Sequence, residues 1–520
     1  MLIGDIPLNN ARWFPERTGI VDGPSGVRFN WKEINERVNR LSHALIDLGV
    51  RKGDRVGIIA ENCLQCGEFQ FATAKTGVIG CGLNYRLKKE VLEKVIQNVQ
   101  LKAIFVQSQY RDLIDAIRPN LQTVSHFIGI GKDHGYERDY DDMIDGYPDT
   151  EVRTDATEDA HLVIAFTTGT TGIPKGVITT HKNRLTFCIE NGMFIERYTP
   201  EDIVSVSAPW CIGIGGQVQF LAPAFAGATI VIHPLGNTWA QVVERERVTI
   251  AMMTKSRFMP LWDHMEATGK TYDLSSLKKV MIGAEHTTAD DLRQIMDFCG
   301  VSISGKVYGI TEAGATVTRL LPCDIEKGFH PNATEKEKKR LESAGKPLLG
   351  ARIRLIDSEG RDVSQGEIGE VVIKGDQVSP GYWNDPALTE EKFRNGWYHT
   401  NDLGVFDEDG YLYLKGRKDF IIKTGGVLVP PVNVEDAIRN HPAVNEVAVI
   451  GVPSERWGEA VKAVIAVKTG CRLTEDDVKT HCREQLSAFQ VPKAVQFVDA
   501  LPRSAAGRVE TKKVLELYGS

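Results

Sequence analysis

Along most of the chain, hydrophobic and polar positions follow two patterns that alternate. Short apolar runs typical of buried strands, such as residues 55–60 and 162–166, alternate with segments of helical spacing, such as residues 41–48 and 68–76. This alternation predicts parallel sheets covered by helices on both faces. The other strands predicted here are residues 19–21 with a hairpin partner at 27–31, and residues 102–106, 229–232, 279–282 and 306–308.

The most apolar stretch of the chain covers residues 203–232. Pro209, Gln217, Gln219 and several glycines interrupt it, and it has no charged flank typical of a membrane span. We therefore predict a buried helix followed by a core strand, and no integral association with a membrane. The charged run at residues 335–340 is predicted to be a solvated helix or loop face.

The pattern changes near residue 353. Short strands are predicted at residues 352–356, 369–374, 405–406 and 411–414, joined by Gly/Asp turns, which is typical of an antiparallel, barrel-like subdomain. After residue 418 a small α/β pattern follows, with helices near 434–440 and from 475, and strands at 446–451 and 461–467. The predicted fold is thus α/β: a large region of stacked αβαβα sheets with a barrel-like subdomain (1–418), and a small mobile α/β domain (419–520).

Composition narrows the function classes. A chain of 520 residues is too long for one compact core, and 42% hydrophobic with 25% charged residues is ordinary for a globular protein. A net charge of −7 without a basic block argues against a nucleic-acid binder. Nine scattered cysteines fit a reducing compartment, and the N-terminus does not resemble a signal peptide, so we expect a cytoplasmic protein. Cys63 and Cys66 form a lone CxxC and are interpreted as helix residues.

Residues 166–176 carry the strongest chemical signal. Glycines let the backbone turn tightly around an anion, hydroxyls donate to phosphate oxygens, and a lysine adds charge. Gly176 follows Lys175 where a Walker loop would have Ser or Thr. The run consists of Phe166, Thr167, Thr168, Gly169, Thr170, Thr171, Gly172, Ile173, Pro174, Lys175 and Gly176.

This loop resembles the phosphate loop of the adenylate-forming superfamily, which includes acyl-CoA synthetases, peptide-synthetase adenylation domains and firefly-type luciferases. The resemblance covers essentially the whole chain, because further motifs follow in the family's order. They are Gly283-Ala284-Glu285, Tyr308-Gly309-Ile310-Thr311-Glu312, Gly381-Tyr382-Trp383-Asn384-Asp385-Pro386, Thr400-Asn401-Asp402, Gly416-Arg417-Lys418-Asp419 and Thr424-Gly425-Gly426.

The resemblance implies roles for many of these residues. Thr311 would bond the phosphate or the substrate carboxyl, and Glu312, with Thr168, would ligate Mg²⁺. Asp402 would accept from the ribose hydroxyls, and Asp419 would be the hinge. The ATP- and AMP-binding residues implied are Thr167, Thr168, Gly169, Thr170, Thr171, Lys175, Gly283, Ala284, Glu285, Tyr308, Gly309, Thr311, Asp402 and Arg417.

The reaction implied has two halves. ATP, with Mg²⁺ beside its phosphates, converts a carboxylic acid to an acyl-AMP, and a domain rotation then brings in the CoA thiol, which displaces AMP. Gly425 and Gly426 would meet CoA. Val427 and Leu428 follow them where the family often has Glu-Asn, and Asn401 replaces the usual glycine but tolerates the left-handed conformation. The partners expected are the acid, ATP and CoA, with a homodimer left open.

The lysine that the family uses for the first half-reaction is replaced here by Arg508. A guanidinium is a planar fork and an ammonium a point charge, so the charge is kept but the geometry is not. Three interpretations are open: Arg508 substitutes, Lys512 or Lys513 takes over, or the half-reaction has been lost. Thr311, Glu312, Arg508 and Lys175 are the predicted catalytic residues.

The acyl pocket is predicted from Trp210, Ile212, Gly213, Gly283 and Ile310. Ile212 stands where many CoA ligases have an aromatic residue or His, and no acidic residue is present to pair with an α-ammonium, which argues against amino acids. The small residues leave room for a medium or bulky apolar acid. Lys255 and Arg257 would either meet a distal carboxylate or belong to a solvated helix face.

The function predicted is therefore an AMP-forming acyl-CoA ligase resembling fatty-, aryl- and alicyclic-acid members. One alternative is an enzyme that loads the acyl group onto a separate carrier protein. Another is a catalytically weak nucleotide- or acyl-adenylate-binding protein, because Arg508 replaces the lysine. A luciferase-like oxygenase is the remaining alternative, without a positive mark in the sequence.

Overall fold

The computed structural model describes residues 1–167, 173–211, 215–234, 236, 238–283, 287–503 and 509–519, without the side chains of residues 255–257 and 259. The chain divides into two compact units. The first comprises Met1–Arg352 and Ile373–Tyr398, and the second Ile353–Val372 and His399–Ser520. The two units interleave along the chain, whereas the predicted domains are contiguous, and the boundary at 418/419 stays a prediction.

The described strands and helices occur along the whole chain and match the predicted alternation. The strands as far as residue 347 are β1 (Thr18–Asp22), β2 (Arg28–Asn30), β3 (Arg55–Ile59), β4 (Ile79–Gly82), β5 (Ala103–Gln107), β6 (His126–Ile130), β7 (Arg138–Asp139), β8 (His161–Thr167), β9 (Lys175–Thr180), β10 (Ile203–Val206), β11 (Thr229–Ile232), β12 (Ile250–Met253), β13 (Lys279–Gly283), β14 (Ile303–Tyr308), β15 (Thr318–Leu320) and β16 (Lys346–Pro347). The later strands are β17 (Arg352–Ile356), β18 (Gly369–Lys374), β19 (Phe393–Arg394), β20 (Trp397–Phe406), β21 (Leu412–Arg417), β22 (Ile422–Thr424), β23 (Val427–Val429), β24 (Val444–Ser454), β25 (Gly458–Val467) and β26 (Ala494–Val498). The helices are α1 (Ile6–Trp13), α2 (Trp31–Asp47), α3 (Leu64–Thr76), α4 (Lys89–Val99), α5 (Arg111–Asp115), α6 (Tyr140–Asp145), α7 (His181–Phe187), α8 (Gly215–Phe225), α9 (Trp239–Glu246), α10 (Lys255–Thr268), α11 (Ala289–Cys299), α12 (Pro322–Phe329), α13 (Glu335–Arg340), α14 (Pro386–Lys392), α15 (Pro431–Arg439), α16 (Glu475–Gln485) and α17 (Thr511–Tyr518).

Two largely parallel sheets form the first unit. One has the order β16-β15-β14-β13-β12-β10-β11-β1-β2, with antiparallel pairs at both edges. The other has the order β7-β6-β5-β3-β4-β8-β9 and is parallel except for the β8–β9 pair. The predicted hairpin of β1 and β2 and the predicted parallel sheets are therefore confirmed.

Helices α3 and α8 join the two sheets into one core. Nearly every residue of α3 and most residues of α8 are buried, as expected for helices enclosed between layers. The ring centroids of Phe71 on α3 and Phe220 on α8 lie 4.9 Å apart. The outer helix α2 is amphipathic instead, and Asn30 caps it by accepting from the Glu33 N–H.

The apolar stretch at residues 203–232 contains more than was predicted. The helix and the following strand are present as α8 and β11, but β10 precedes them, and the prediction missed it. Three apolar residues and a serine before a buried helix cannot be told from the start of that helix by periodicity alone. None of the described helices is both long and apolar enough to cross a bilayer.

The second unit contains short antiparallel strands followed by a small α/β sheet. The first of these sheets has the order β17-β18-β20-β19, with β21 paired to β20. The last sheet has the order β23-β22-β25-β24, with β26 parallel to β25, and α15 and α16 pack beside it. The mixed α/β architecture matches the prediction.

The cysteines are free thiols, most of them buried. The prediction that Cys63 and Cys66 belong to a helix holds, since they lie at the cap and in the first turn of α3 with sulfurs 3.7 Å apart. Burial raises the pKa of the Cys188 thiol to about 12, so it stays protonated at neutral pH. The exposed ones are Cys323 on α12 in the first unit and Cys471 in the second.

A buried histidine links the N-terminus to α7 and predicts an acid sensitivity. The Ile3 N–H donates to His181 Nδ1 at 3.1 Å, and burial lowers the pKa of His181 from 6.5 to about 4. Between those pH values the unfolded chain binds a proton that the folded chain does not, so acidification favours unfolding by about 1.4 kcal/mol per pH unit. We expect urea denaturation between pH 6.5 and 5 to show this contribution to the slope, and His181→Gln to remove it. A variant of the exposed His330, His330→Gln, should keep it; equal slopes in the native chain and His181→Gln would contradict the prediction.

Candidate functional site

The two ends of the predicted phosphate loop lie side by side. Thr167 ends β8 and Lys175 begins β9, and the two residues are paired in the antiparallel ladder. The predicted loop residues between them, Thr168, Gly169, Thr170 and Thr171, lie outside the described residues. The loop therefore starts and finishes at one edge of the second sheet, with both Thr167 and Lys175 half-buried.

A segment from the later Gly-Tyr-Trp motif runs along β9. Val177 and Tyr382 form an antiparallel bridge, and the Trp383 N–H donates to the Gly176 carbonyl at 2.7 Å. Gly176 is required here because a Cβ on it would lie 2.8 Å from a methyl carbon of Ile164. This pairing holds Tyr382 beside Lys175, which the sequence pattern did not indicate.

The Tyr-Gly-Ile-Thr-Glu motif forms the end of β14 and a short 3-10 turn. Thr311 and Glu312 lie in that turn, Thr311–Ala313. A Cβ on Gly309 would lie 1.7 Å from the Ala315 carbonyl oxygen, so only glycine fits. The Ser379 N–H donates to the Glu312 carbonyl at 2.8 Å, which ties the turn to the segment that carries Tyr382.

Glu312, Tyr382 and Lys175 form one cluster in the first unit. The Tyr382 hydroxyl donates to Glu312 Oε1 at 2.9 Å, and Lys175 Nζ lies 5.8 Å from the centroid of the Tyr382 ring. Burial, and then the charge of Glu312, raise the pKa of Tyr382 well above its ordinary value, so it stays a hydrogen-bond donor. Sequence reasoning recognised the motif of Tyr382 but gave this residue no role.

The carboxyl ends of two parallel strands bring Gly283 to the same region. Gly283 ends β13 and pairs with Val307, one residue before Tyr308. A Cβ on Gly283 would lie 2.4 Å from a methyl carbon of Val307, so the two strands need glycine at this position. Ala284 and Glu285 lie outside the described residues. Such strand ends are where α/β sheets place ligands.

A buried arginine lies behind the Thr311–Ala313 turn. Arg184 on α7 is fully buried and donates from Nη1 to the Gly314 carbonyl at 3.4 Å, while Nε and Nη2 have no hydrogen-bond partner among the described residues. Burial lowers its pKa to about 10, so it stays charged at neutral pH. Its charge adds positive potential behind Thr311 and Glu312. The sequence offered no signal for it, because a lone arginine on a short helix is ordinarily solvated.

The predicted acyl-pocket residues are described only in part. The Trp210 ring lies 5.1 Å from Phe220 and belongs to the main core, and Ile310 is half-buried at the start of the Thr311 turn. Ile212 and Gly213 lie outside the described residues, as do the side chains of Lys255 and Arg257. Their assignment to an acyl pocket stays a prediction.

In the second unit, the predicted ribose and hinge residues are neighbours. Asp402 on β20 pairs with Arg417 on β21, with Arg417 Nε 3.9 Å from Asp402 Oδ1. Asn401 has φ +62°, the left-handed conformation that was predicted to let it replace glycine. Its amide also donates to Asp419 Oδ2 at 3.3 Å, a contact that a glycine could not make.

The Gly-Gly motif of the second unit is a hairpin turn. Gly425 and Gly426 connect β22 to β23 with φ values of +57° and +81°. Leu428 after them is 60% exposed. The prediction that this turn meets CoA stays a prediction.

The described residues on either side of Arg508 pair with each other near the C-terminus. Arg503 and Val509 form an antiparallel bridge, and the Arg503 guanidinium pairs with Glu446. Arg508 itself lies outside the described residues. Of the alternative lysines, Lys513 on α17 lies 3.5 Å from Glu510.

Comparison with known proteins agrees with this geometry. The family model described as AMP-binding enzyme matches residues 8–383, and that of the AMP-binding enzyme C-terminal domain matches residues 433–508. A feruloyl-CoA synthase of Amycolatopsis sp. is 29% identical over 519 residues, 99% of each chain. A fatty acid–[acyl-carrier-protein] ligase, ScoC of Streptomyces coeruleorubidus, is 26% identical over 95% of this chain and 92% of its own.

Among solved structures, the anthranilate CoA ligase AuaEII in complex with anthranoyl-AMP superposes with a TM-score of 0.87 at 26% identity, covering 100% of this chain and 97% of its own. Both family models, the relatives and the fold indicate the same family as the sequence motifs. This chain therefore belongs to the AMP-binding enzyme family, in the acyl-CoA synthetase branch of the adenylate-forming superfamily.

Proposed function

We propose that this chain is an ATP-dependent acyl-CoA ligase. The observation that carries the proposal is the cluster of Glu312, Tyr382 and Lys175 beside the two ends of the phosphate-loop hairpin. An acidic and a basic side chain at such a place suit a bound triphosphate with its metal ion. The CoA ligases among the relatives support the same reaction class.

The residues present fit Mg²⁺ that arrives with the nucleotide. The described residues contain no cluster of three or more His, Cys, Asp or Glu side chains that could hold a metal ion by themselves. Glu312 is a half-buried carboxylate that forms no ion pair with any described residue. One protein carboxylate together with phosphate oxygens is how Mg²⁺ is commonly held at nucleotide sites, where it neutralises phosphate charge. We assign Glu312, with Thr168, to this role.

In the first step a carboxylate oxygen of the acid attacks the α-phosphorus of ATP, and the bond from that phosphorus to the pyrophosphate oxygen breaks. Lys175 and Arg508 stabilise the growing negative charge, and Thr311 orients the phosphate or the carboxyl group. Gly283 and Tyr308 line the adenine, and Asp402 and Arg417 bind the ribose. The products are acyl-AMP and pyrophosphate.

In the second step the CoA sulfur attacks the acyl carbon, the bond from that carbon to the AMP oxygen breaks, and the thiol proton leaves to solvent. Gly425 and Gly426 meet the pantetheine, and Asp419 is the hinge between the two steps. The acid proposed is apolar, either aliphatic, alicyclic or aromatic, because the sequence has no acidic residue at the position where amino-acid-activating members of the family place their Asp.

One observation favours a carrier protein, instead of CoA, as the acceptor of the acyl group. Val427 and Leu428, which follow the Gly-Gly turn, are exposed apolar side chains where many CoA ligases have Glu-Asn. Exposed apolar side chains suit contact with a protein. A relative that acts on an acyl carrier protein supports this alternative, in which the thiol belongs to a separate carrier protein.

The test is AMP formation with ATP, Mg²⁺ and a panel of aliphatic, alicyclic and aromatic acids, with either CoA or a carrier protein as acceptor. We expect turnover by the native chain, and expect Arg508→Lys to raise the rate of pyrophosphate release by up to about a hundredfold, because the ammonium restores the family's geometry. Arg503→Lys, five residues earlier in the sequence, is the matched control and should leave the rate unchanged. ATP binding by the native chain and by Arg508→Lys without pyrophosphate release from either, across the whole panel, would contradict the ligase and favour a binding protein.

A further inference from the structure

We propose that Tyr382 is a positioning residue that fixes the carboxylate of Glu312 for the metal–nucleotide complex. The proposal rests on the proposed function, in which Glu312 contacts Mg²⁺ at the phosphates. It adds a residue of the Gly-Tyr-Trp segment to a site otherwise formed by the phosphate loop and the Thr311 turn.

The Tyr382 hydroxyl donates its hydrogen bond to one oxygen of the Glu312 carboxylate. A phenol has a single hydrogen, and that hydrogen is given to Glu312 Oε1 at 2.9 Å. Oε2 is thereby left for a metal ion. A side-chain hydrogen bond also joins Tyr398 to Tyr382.

The ring of Tyr382 is itself held in place. Tyr382 is 6% exposed, and its ring packs edge-to-face on Phe393 with centroids 5.7 Å apart. The backbone bridge to Val177 fixes its position along β9. A hydroxyl on a ring fixed in this way constrains the carboxylate that it contacts.

The same ring also faces Lys175. The ammonium lies 5.8 Å from the ring centroid, within the range of a cation–π contact. One side chain thus touches both charged groups assigned to the phosphates. Loss of the hydroxyl alone should disturb Glu312 and leave the contact of Lys175 with the ring.

Tyr382→Phe separates these two contacts. Partners that orient a metal ligand typically change metal affinity by about ten- to a hundredfold when removed. We therefore expect Tyr382→Phe to raise the Mg²⁺ concentration for half-maximal pyrophosphate release by about tenfold, with a smaller loss of rate at saturating Mg²⁺. We also expect it to weaken Mn²⁺ binding by a similar factor, measured by electron paramagnetic resonance with a nonhydrolysable ATP analogue present.

The chain offers a matched control. The Tyr140 hydroxyl donates to Glu68 Oε2 at 2.5 Å, also in the first unit but in the core away from the loop. Tyr140→Phe removes an equivalent buried hydrogen bond and should lower the melting temperature without changing either metal readout. In the Glu312→Gln background, Tyr382→Phe should have no further effect on Mn²⁺ affinity, because the two residues act as a unit.

The outcomes separate this proposal from the proposed function. If no acid supports pyrophosphate release but the Mn²⁺ affinity still falls in Tyr382→Phe, the ligase assignment fails and the positioning role stands. If Tyr382→Phe and Tyr140→Phe both keep the native metal dependence, the positioning role is overturned. It is also overturned if the native chain binds no Mn²⁺ with the nucleotide analogue, or if Tyr382→Phe weakens Mn²⁺ binding equally in the Glu312→Gln background.

Discussion

Replacing Glu312 by glutamine is expected to slow pyrophosphate release by roughly a hundred- to a thousandfold, the size of effect seen when one electrostatic contact to a transition state is lost. Glutamine keeps the shape of the side chain and can still accept from the Tyr382 hydroxyl. The substitution removes the negative charge of the carboxylate, which we propose contacts the metal ion. Folding should be unaffected, since Glu312 forms no ion pair with any described residue.

Glu190→Gln is the matched control for that experiment. Glu190 is a half-buried carboxyl group in the same unit, and burial raises its pKa. No role in binding the nucleotide or its metal ion is assigned to Glu190, so its loss of charge should leave the rate within about twofold of native. Single-turnover release of labelled pyrophosphate measures both variants, and a native rate in Glu312→Gln would remove Glu312 from the proposed mechanism.

The second large effect concerns stability. We expect Glu68→Ala to lower the free energy of unfolding of the first unit by about 3–5 kcal/mol, as for other buried pairs that lose one partner. The Glu68 side chain on α3 is completely buried, pairs with Arg37 on α2 and accepts from Tyr140 on α6. Burial lowers the pKa of Arg37, but the Glu68 carboxylate more than offsets this and the net pKa is raised. Alanine would leave a guanidinium and a phenol without their partner between three helices.

Asp149→Ala controls for the loss of an ion pair in general. Asp149 Oδ2 lies 3.4 Å from Arg40 Nη2, and both side chains are substantially exposed. Exposed pairs contribute about 0–1 kcal/mol, so this variant should be close to native. Urea denaturation followed by tryptophan fluorescence compares the two, and equal losses of stability would contradict the assignment of Glu68 as a buried link between α2, α3 and α6.

The spacing of hydrophobic residues was sufficient to predict strands and helices in which buried positions recur at regular intervals. The strands β3 and β5 and the C-terminal part of the helix α2 were predicted because one face or the whole run is apolar over enough residues to establish a period, whereas the first ten residues of α2 were missed. β10 was missed because its four residues, three apolar and one serine, are too few to establish a period of their own before a buried helix. The start of α3 was also placed four residues late, at residue 68 instead of Leu64.

In the candidate site, too, local features could be predicted from the sequence, whereas contacts between distant segments could not. The positive φ of Asn401 could be predicted, because it depends on one residue's own backbone preference. The bond from Asn401 to Asp419 and the bond from Tyr382 to Glu312 could not, since each joins segments that only the folded sheets bring together. Arg184 behind the Thr311 turn was not predicted either, because its contact with Gly314 also joins segments that are distant in the sequence.

The native cysteines provide two positions at which fluorescent dyes can be attached to this protein. Of the nine thiols, those of Cys323 and Cys471 are exposed, and they lie in different units, while the others are buried. Thiol-reactive donor and acceptor dyes should therefore attach to one position on each unit without any engineered cysteine. Single-molecule energy transfer between them would follow the distance between the units while ATP, acid and CoA are added in turn, and so would test the domain rotation that we propose between the two steps.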